Sequence, residues 1–356
     1  MRIVEGHSSR EVAVDALRGA SIIAVMLYHY HPFGSGPTTW GLYGVTLFFM
    51  ISGYCMLPSL QSSSSLRHFL SKRVARLLPA LVICGFLSTL IERVTLVRPD
   101  RLHGWADWIK SSICLPTVDI PCGLSGILIG KFQEFSYPDG AYWTLATEFK
   151  FYLFIGLVYW GVSRRHTVAA FAAILFGAQL FWSTGAYIRY IDEILPYLPV
   201  FLSGFAISEF THGNRKSGLL GMGASASVMA LMYCLEIKPY SMPVATGSAV
   251  LAYASCFAIL LVVTRFPVIA ARPVAAGLAF VGAFSYPLYL LHQDIGLVLL
   301  EYLRPVDGIT VRLFVLPGIM LMIAFAVYRT VEYRWQAALT RLFTGTRPVH
   351  RIREAM

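Results

Sequence analysis

Charged residues are scarce in this chain of 356 residues. Asp, Glu, Lys and Arg together make up 13% of it, whereas soluble domains carry about a quarter. Hydrophobic residues account for 56%, and the mean hydropathy is +0.63. The length would suit two soluble domains, but this composition excludes them and predicts a polytopic membrane protein.

Acidic residues are fewer than basic ones, 19 against 29, and the formal net charge is +10. Such an excess is compatible with a nucleic-acid partner, but no basic domain with interleaved aromatic residues stands outside the apolar segments. The Lys and Arg residues instead form short clusters between apolar runs, which is the positive-inside pattern of membrane proteins. We therefore expect a bilayer, and no nucleic acid, as the partner.

Cysteines are also few, and no group of Cys and His residues has the spacing of metal ligands. We expect no metal site. Four of the six cysteines lie in apolar runs, where free Cys behaves as a small hydrophobe: Cys55, Cys84, Cys234 and Cys256. Cys114 and Cys122 lie outside such runs, and a disulfide between them depends on an oxidising compartment, so the sequence leaves both states open.

Ten apolar windows are long enough to cross a bilayer. The first lacks a small-residue cleavage site and is expected to be retained. The windows cover residues 13–31, 41–58, 74–92, 147–163, 167–184, 193–210, 217–235, 244–264, 278–300 and 309–329. They predict an all-α integral membrane protein, a polytopic bundle of about ten transmembrane helices.

The basic residues predict the orientation of this bundle. With ten spans, most of them fall on one side, which places both termini in the cytoplasm. Residues 1–335 then form the transmembrane domain, and residues 93–146 form a long external loop expected to pack over it. Residues 336–356 form a basic cytoplasmic tail, expected to lie on anionic headgroups.

The first apolar window contains an arginine and a histidine at a helical spacing. Arg18 and His29 are eleven residues apart, which on a helix is about 16 Å of rise and about three turns, so their side chains share one face. Ionisable groups inside a membrane are costly, and these two are therefore functional candidates. Taken alone, a histidine at this position is more often a helix-end residue bonded to a neighbouring carbonyl.

Glu148 enters the fourth window from the outside, at a depth predicted to match that of His29. A carboxylate beside an imidazole orients the ring and raises its basicity, so we expect the two residues to form an acid–base pair. Lys150 does not compete for Glu148, because residues i and i+2 of a helix do not face each other.

Arg73 and Arg76 begin the third window on the cytoplasmic side. Guanidinium groups recessed at that face suit a phosphate-bearing ligand, because they bind phosphates in a bidentate manner. Ser52 is a candidate hydrogen-bond donor. His292 lies in the outer half of the ninth window, where it could satisfy a carbonyl freed by Pro287.

Several of these residues fall in motifs whose order and spacing resemble the membrane-bound acyltransferase-3 family. The resemblance runs from about residue 11 to residue 335. The motifs are Arg18 with His29, Phe48–Tyr54, Lys72–Pro79, Tyr142–Tyr152, Phe201–Gly204, Phe284–His292 and Val331–Tyr333.

The resemblance implies about ten transmembrane helices in a cell inner membrane and an acyltransferase activity. An acyl group, commonly acetyl, would pass from cytoplasmic acyl-CoA to a hydroxyl of an extracytoplasmic carbohydrate or glycolipid, as in polysaccharide modification. Arg18 and His29 match the family's essential pair, Arg73 and Arg76 its basic motif, and Glu148 its acidic motif.

On this basis we expect Arg18, Arg73 and Arg76 to bind the phosphates of acyl-CoA. His29, oriented by Glu148, would act either as a general base on the acceptor hydroxyl or as a covalent acyl carrier. The competing interpretation is a multi-pass transporter or flippase of a related glycolipid. Its weakness is that the two halves of the chain show no evident repeat, and a scaffold or sensor is the third interpretation.

Overall fold

The computed structural model describes residues 9–34, 38–96, 104–116, 137–183, 194–234, 246–267 and 272–345. Within these ranges the chain is helical and contains no strand, which confirms the predicted all-α class. The α-helices in these ranges are α1 (Ser9–Tyr30), α2 (Gly44–Gln61), α3 (Leu66–Thr95), α4 (Trp105–Cys114), α5 (Trp143–Leu157), α6 (Thr167–Ser183), α7 (Leu198–Thr211), α8 (Arg215–Cys234), α9 (Thr246–Arg265), α10 (Pro273–Ala283), α11 (Ser285–Leu291), α12 (Asp294–Tyr302), α13 (Leu316–Val327) and α14 (Tyr333–Thr344).

Seven helical segments of the described chain are long and apolar enough to cross a bilayer. They are Ser9–Tyr30, Thr39–Gln61, Leu66–Thr95, Gly140–Val162, Arg215–Cys234, Gly247–Arg265 and Val311–Thr344. Helices α10 and α11, bent by 62° where they meet, make an eighth if counted as one broken span. The chain is thus a multi-pass membrane protein.

The predicted count of about ten spans is not reproduced in the described residues. Windows 167–184 and 193–210 correspond to α6 and α7, which have 17 and 14 residues. A helix needs about 20 residues to cross the hydrocarbon core unaided, so neither reaches the full length. Window 278–300 is divided among α10, α11 and α12.

Glycines bring α2 and α7 into backbone contact. A Cβ added at Gly204 would lie 1.8 Å from the carbonyl oxygen of Met50, and one at Gly53 would lie 2.1 Å from that of Phe201. No residue with a side chain fits either position without moving a helix. Close approach through small residues is the usual way in which membrane helices associate.

Glycines also bring α1 and α10 into backbone contact. A Cβ at Gly19 would meet the carbonyl oxygen of Leu278 at 2.0 Å, and one at Gly282 would meet that of Asp15 at 1.9 Å. Both helices carry a glycine at the contact, so the two backbones approach on both sides. Helix α1, which bears Arg18 and His29, is thereby held against the broken span.

The C-terminal end of α1 is fixed by two hydrogen bonds to distant parts of the chain. The Tyr30 hydroxyl donates to the carbonyl of His292 at 2.7 Å, and Arg312 Nη1 donates to the carbonyl of Tyr30 at 2.9 Å. The first bond ties α1 to the junction between α11 and α12. The second satisfies a carbonyl that the end of a helix leaves without an intrahelical partner.

Helix α4, within the predicted external loop, packs against α3. Trp108 of α4 donates from Nε1 to the carbonyl of Val82 at 2.8 Å, and its ring lies 5.4 Å from that of Phe86 on α3. Cys114, at the end of α4, is disulfide-bonded. Its candidate partner Cys122, with residues 97–103 and 117–136 of the same loop, lies outside the described residues.

The four cysteines of the apolar segments, Cys55, Cys84, Cys234 and Cys256, are free, as predicted. The predicted tail begins inside α14, which continues to Thr344. Trp335 and Leu342 on this helix are exposed. Residues 346–356 of the tail lie outside the described chain.

Candidate active site

A small chamber lies between α1, α2, α3, α5 and α11, with a volume of about 90 Å³. Apolar side chains such as Phe48 and Met56 form part of its wall. Its remaining wall is polar or charged, with Arg18, Ser52, Cys55, Arg73, Arg76, Thr144, Glu148, Tyr152, Ser285, Tyr286 and Tyr289. Four of the five predicted site residues, Arg18, Arg73, Arg76 and Glu148, therefore meet in one place, from three separate helices.

A larger cavity, the vestibule, has a volume of about 830 Å³, within the range of about 300–1,000 Å³ typical of ligand pockets. Basic residues on its wall are Arg10, Arg18, Lys72, Arg73 and Arg76, and acidic ones are Glu11, Asp15 and Glu332. Arg18, Cys55, Arg73 and Arg76 line both cavities. The vestibule thus meets the chamber at a ring of three guanidinium groups and one thiol.

Arg18 is held at this junction from two sides. Its Nη1 pairs with Asp15, one turn earlier on α1, at 2.5 Å. Its Nη2 donates to the sulfur of Cys55 on α2 at 3.1 Å. The ion pair spans i and i+3 of a helix, where side chains are neighbours, so the local sequence already favours it.

Arg73 is packed between two aromatic rings. Its guanidinium carbon lies 5.6 Å from the ring centres of both Phe69 and Tyr152, which is cation–π distance. Its Nη2 donates to the hydroxyl of Ser59, and its Nε is buried with no hydrogen-bond partner among the described residues. The planar group is therefore held rigidly, with a donor still available for a ligand.

Glu148 makes its hydrogen bonds inside the chamber. One oxygen, Oε1, accepts from the Ser52 hydroxyl at 2.5 Å and from the Tyr152 hydroxyl. Ser52 is thus the donor that the sequence proposed, with Glu148 as its acceptor. Tyr152 was not among the predicted site residues, although its position four residues after Glu148 on a helix places the two on one face.

His29 lies apart from the other predicted site residues, beyond the chamber wall. Its ring lies 4.9 Å from that of Tyr28 and 5.1 Å from that of His292. Tyr289 stands between, because it lines the chamber and its ring centre is 5.3 Å from that of His292. The order of contacts is therefore chamber, Tyr289, His292 and His29.

The expected pair of Glu148 and His29 is not formed. In the described residues, Glu148 bonds to Ser52 and Tyr152 instead. Position along the helices is the physical reason: the span of Glu148 begins at Gly140, so this carboxylate lies about 12 Å along the helix from its N-terminal end. His29 lies one residue from the C-terminal end of α1.

His292 takes the place beside His29 that was expected for Glu148. Its side chain is fully buried, and its Nδ1 lies 2.7 Å from the carbonyl oxygen of Tyr289. This carbonyl is not the one that Pro287 was expected to free, because a proline removes the hydrogen bond to the carbonyl four residues before it. Its contact with His29 joins positions that are 263 residues apart, so no local pattern could reveal it.

Among the described residues, no group of three or more His, Cys, Asp or Glu side chains could hold a metal ion. Four of the eight charged residues on the wall of the vestibule are arginines, whose guanidinium groups suit anionic oxygens and not metal ions. The site therefore fits a ligand that bears phosphate or carboxylate groups.

A model of an acyltransferase domain matches residues 11–330 of the sequence, a stretch that contains the whole chamber. The chain belongs to the acyltransferase-3 family. This acyltransferase-3 domain spans all of the predicted site residues, from Arg18 to Glu148, together with His292. Its predicted resemblance to the family is thus confirmed.

Curated relatives of this acyltransferase-3 chain carry related names. The O-acetyl transferase of Shigella phage Sf6 is 27% identical over 176 residues, 45% of this chain and 49% of the relative. Nodulation protein 10 of Rhizobium leguminosarum bv. viciae is 28% identical over 171 residues, 44% and 43% of the two chains. A Staphylococcus aureus (strain COL) protein named as an O-acetyltransferase is 27% identical over 178 residues, which cover 42% of this chain and 28% of the relative.

The match thus spans less than half of each of these relatives. No solved structure matches the acyltransferase-3 chain.

Proposed function

We propose that the protein is a membrane O-acyltransferase that moves an acyl group from cytoplasmic acyl-CoA to a hydroxyl of an extracytoplasmic carbohydrate or glycolipid. The observation that carries the proposal is the basic vestibule that narrows, through Arg18, Arg73 and Arg76, into the chamber. A donor with a phosphorylated head and a slender acyl-bearing arm has the shape and charge of this connected space.

In this proposal Arg73 and Arg76 bind the phosphates of the donor, with Arg18 beside the arm where it passes into the chamber. Arg73 still offers its buried Nε, and a charge-assisted bond to a phosphate contributes about 1.5–3 kcal/mol. The chamber volume of about 90 Å³ favours a short acyl group such as acetyl. The names of two of the relatives refer to acetyl transfer, which agrees with a short acyl group.

His29 acts as the general base at the outer end of the path. It takes the proton of the acceptor hydroxyl, whose oxygen attacks the carbonyl carbon of the thioester. The carbon–sulfur bond then breaks, and the thiolate of coenzyme A receives the proton from His29. The acyl end reaches His29 once the Tyr289 ring turns away from His292. A covalent acyl-histidine intermediate is the variant that would give ping-pong kinetics.

The role of Glu148 in this proposal differs from the one predicted from the sequence. By accepting from Ser52 and Tyr152, it holds together the polar wall opposite Arg73, whose guanidinium lies against the Tyr152 ring. In the proposal it positions this wall around the thioester and does not orient His29.

The orientation completes the proposal: both termini and the vestibule face the cytoplasm of a cell inner membrane. The basic wall of the vestibule agrees with the positive-inside rule. The disulfide at Cys114 supports an extracytoplasmic location for the loop that follows α4, because disulfides persist in oxidising compartments.

The test is acyl transfer in vesicles of uniform orientation. Labelled acetyl-CoA is supplied on the vestibule side, and a panel of carbohydrate and glycolipid acceptors on the other side. We expect label on an acceptor, reduced at least about 100-fold by His29→Ala. His31→Ala is the matched control, since His31 lies two residues away, next to Thr38, and lines neither cavity.

Acceptor movement across the membrane without acylation, at equal rates in wild type and His29→Ala, would refute the proposal. That result would favour the transporter or flippase.

A further inference from the structure

Two histidines from opposite ends of the chain meet at the outer end of α1. The ring centres of His29 and His292 are 5.1 Å apart, and the ring planes meet at 64°. His292 is completely buried, whereas His29 keeps part of its surface exposed. An approaching acceptor can therefore touch His29, with His292 behind it.

The hydrogen bond at Nδ1 determines where the proton of His292 lies. Its partner is the carbonyl oxygen of Tyr289 at 2.7 Å, and a carbonyl can only accept. Nδ1 therefore carries the hydrogen in neutral His292, and Nε2 carries a lone pair. The tautomer of a histidine is assigned in this way, because the hydrogen bond at one ring nitrogen determines whether the other carries a hydrogen.

Nε2 of His292 is buried and has no hydrogen-bond partner among the described residues. An acceptor without a partner in the protein interior is unfavourable by about 1–3 kcal/mol, so such an atom needs an explanation. The ring is held in this orientation by the bond between its Nδ1 and the backbone carbonyl of Tyr289.

The neighbouring His29 can supply the missing donor. Two imidazole rings joined by a linear N–H···N bond of about 2.9 Å have centres about 5 Å apart, which is the separation found here. Rotation of a histidine ring about its Cβ–Cγ bond is soft and leaves the ring centre nearly in place. Catalytic hydrogen bonds are often misaligned without substrate and form in the complex.

We propose that His292 is the positioning residue of His29. Its Nε2 accepts a ring N–H from His29, which leaves the lone pair on the other nitrogen of His29, facing the acceptor hydroxyl. When His29 takes the hydroxyl proton, the resulting imidazolium keeps its N–H bonded to His292. The catalytic consequence rests on the proposed function, whereas the tautomer of His29 does not.

The first measurement is therefore independent of activity. Nitrogen-15 NMR of the full chain, labelled at its nine histidines, distinguishes ring nitrogens that carry hydrogen from those that do not. Spectra of His29→Gln and His292→Gln assign the two rings. We expect His29 in a single tautomer in the wild type and in a mixture of both tautomers in His292→Phe.

The second measurement is the rate of transfer from acetyl-CoA. His292→Phe removes the acceptor atom, and we expect kcat to fall about 100- to 1,000-fold with the KM for acetyl-CoA unchanged. His292→Gln places an amide oxygen near the position of Nε2 and should stay within about tenfold of wild type. His31→Phe, a substitution of a neighbouring histidine that does not contact His292, is the control.

The double variant separates positioning from packing. If His292 acts through His29, then His29→Ala with His292→Phe is no slower than His29→Ala alone. Losses that multiply, or equal losses in His292→Gln and His292→Phe, would overturn the proposal, as would a His29 tautomer that is the same in wild type and His292→Phe. A single His29 tautomer that depends on His292, in a protein that transfers no acyl group, would refute the proposed function and leave the positioning role standing.

Discussion

Arg73→Lys is the sharpest perturbation of the proposed donor site. The substitution keeps the positive charge but replaces a planar fork with a point charge. In the structure the fork lies between the rings of Phe69 and Tyr152, donates to Ser59 and has a free Nε. A lysine ammonium retains the attraction to phosphate but cannot keep both the bond to Ser59 and a bidentate contact with a ligand.

The magnitude follows from the lost contact. One charge-assisted hydrogen bond to phosphate is worth about 1.5–3 kcal/mol, equivalent to about 10- to 150-fold in affinity. Because the phosphates do not change during acyl transfer, this bond acts equally in ground and transition states. We therefore expect the KM for acetyl-CoA to rise by this factor while kcat stays near the wild-type value.

The assay is steady-state transfer in oriented vesicles over a range of acetyl-CoA concentrations. Arg67→Lys is the matched control, because Arg67 is exposed on the same helix and lines neither cavity. Equal KM values for Arg73→Lys and Arg67→Lys would refute the assignment of the vestibule to the donor phosphates. A fall in kcat alone would show that Arg73 acts on the transition state.

Three further variants test the packing, the chamber and the outer surface. Gly204→Ala inserts a methyl group 1.8 Å from a carbonyl oxygen of α2, so we expect a loss of at least about 2 kcal/mol in the free energy of unfolding, whereas Gly223→Ala, which faces open space, has no such effect. Phe48→Ala enlarges the chamber and should raise the ratio of kcat/KM for butyryl-CoA to that for acetyl-CoA by about tenfold or more. The hydrogen bond from Arg312 holds the pKa of Asp307 below its ordinary value. The bond therefore stabilises the folded protein fully above the unfolded pKa of about 3.9, and this stabilisation is lost as the pH falls through the folded pKa. Thermal unfolding between pH 7 and pH 3 should therefore decline less steeply in Asp307→Asn than in wild type.

Each of these expectations has a result that contradicts it. Equal unfolding midpoints for the two glycine variants would contradict the close contact of α2 and α7. An unchanged preference between acyl chains would remove Phe48 from the acyl-binding wall. Parallel pH profiles for wild type and Asp307→Asn would show that the bond to Arg312 has no effect on stability.

Much of the fold could be predicted because membrane insertion depends on local properties. An apolar run such as 41–58 must become a helix in hydrocarbon, where its backbone has no other hydrogen-bond partners. The resulting segment, Thr39–Gln61, was therefore predicted to within a few residues. Window 278–300 was misjudged as one straight span, because hydropathy does not record the 62° bend between α10 and α11.

The candidate site was predicted in part for the same reason. Arg18, Arg73 and Glu148 stand out because ionisable residues are rare in apolar runs, and this is a property of composition alone. The chamber brings all three together, from α1, α3 and α5. Residue type and spacing were sufficient to nominate them, but not to assign their partners.

Which side chains contact each other depends on the relative positions of the helices along the bundle, and tertiary packing decides those positions. Counting residues along a window predicted Glu148 beside His29, but Glu148 meets Ser52 and Tyr152 in the chamber. His29 meets His292, because the end of α1 is bonded through Tyr30 to the junction between α11 and α12. The sequence by itself therefore determined the class of the fold, the family and most of the chemical groups, whereas the three-dimensional packing alone decided which groups touch, since contacts between distant segments leave no local pattern.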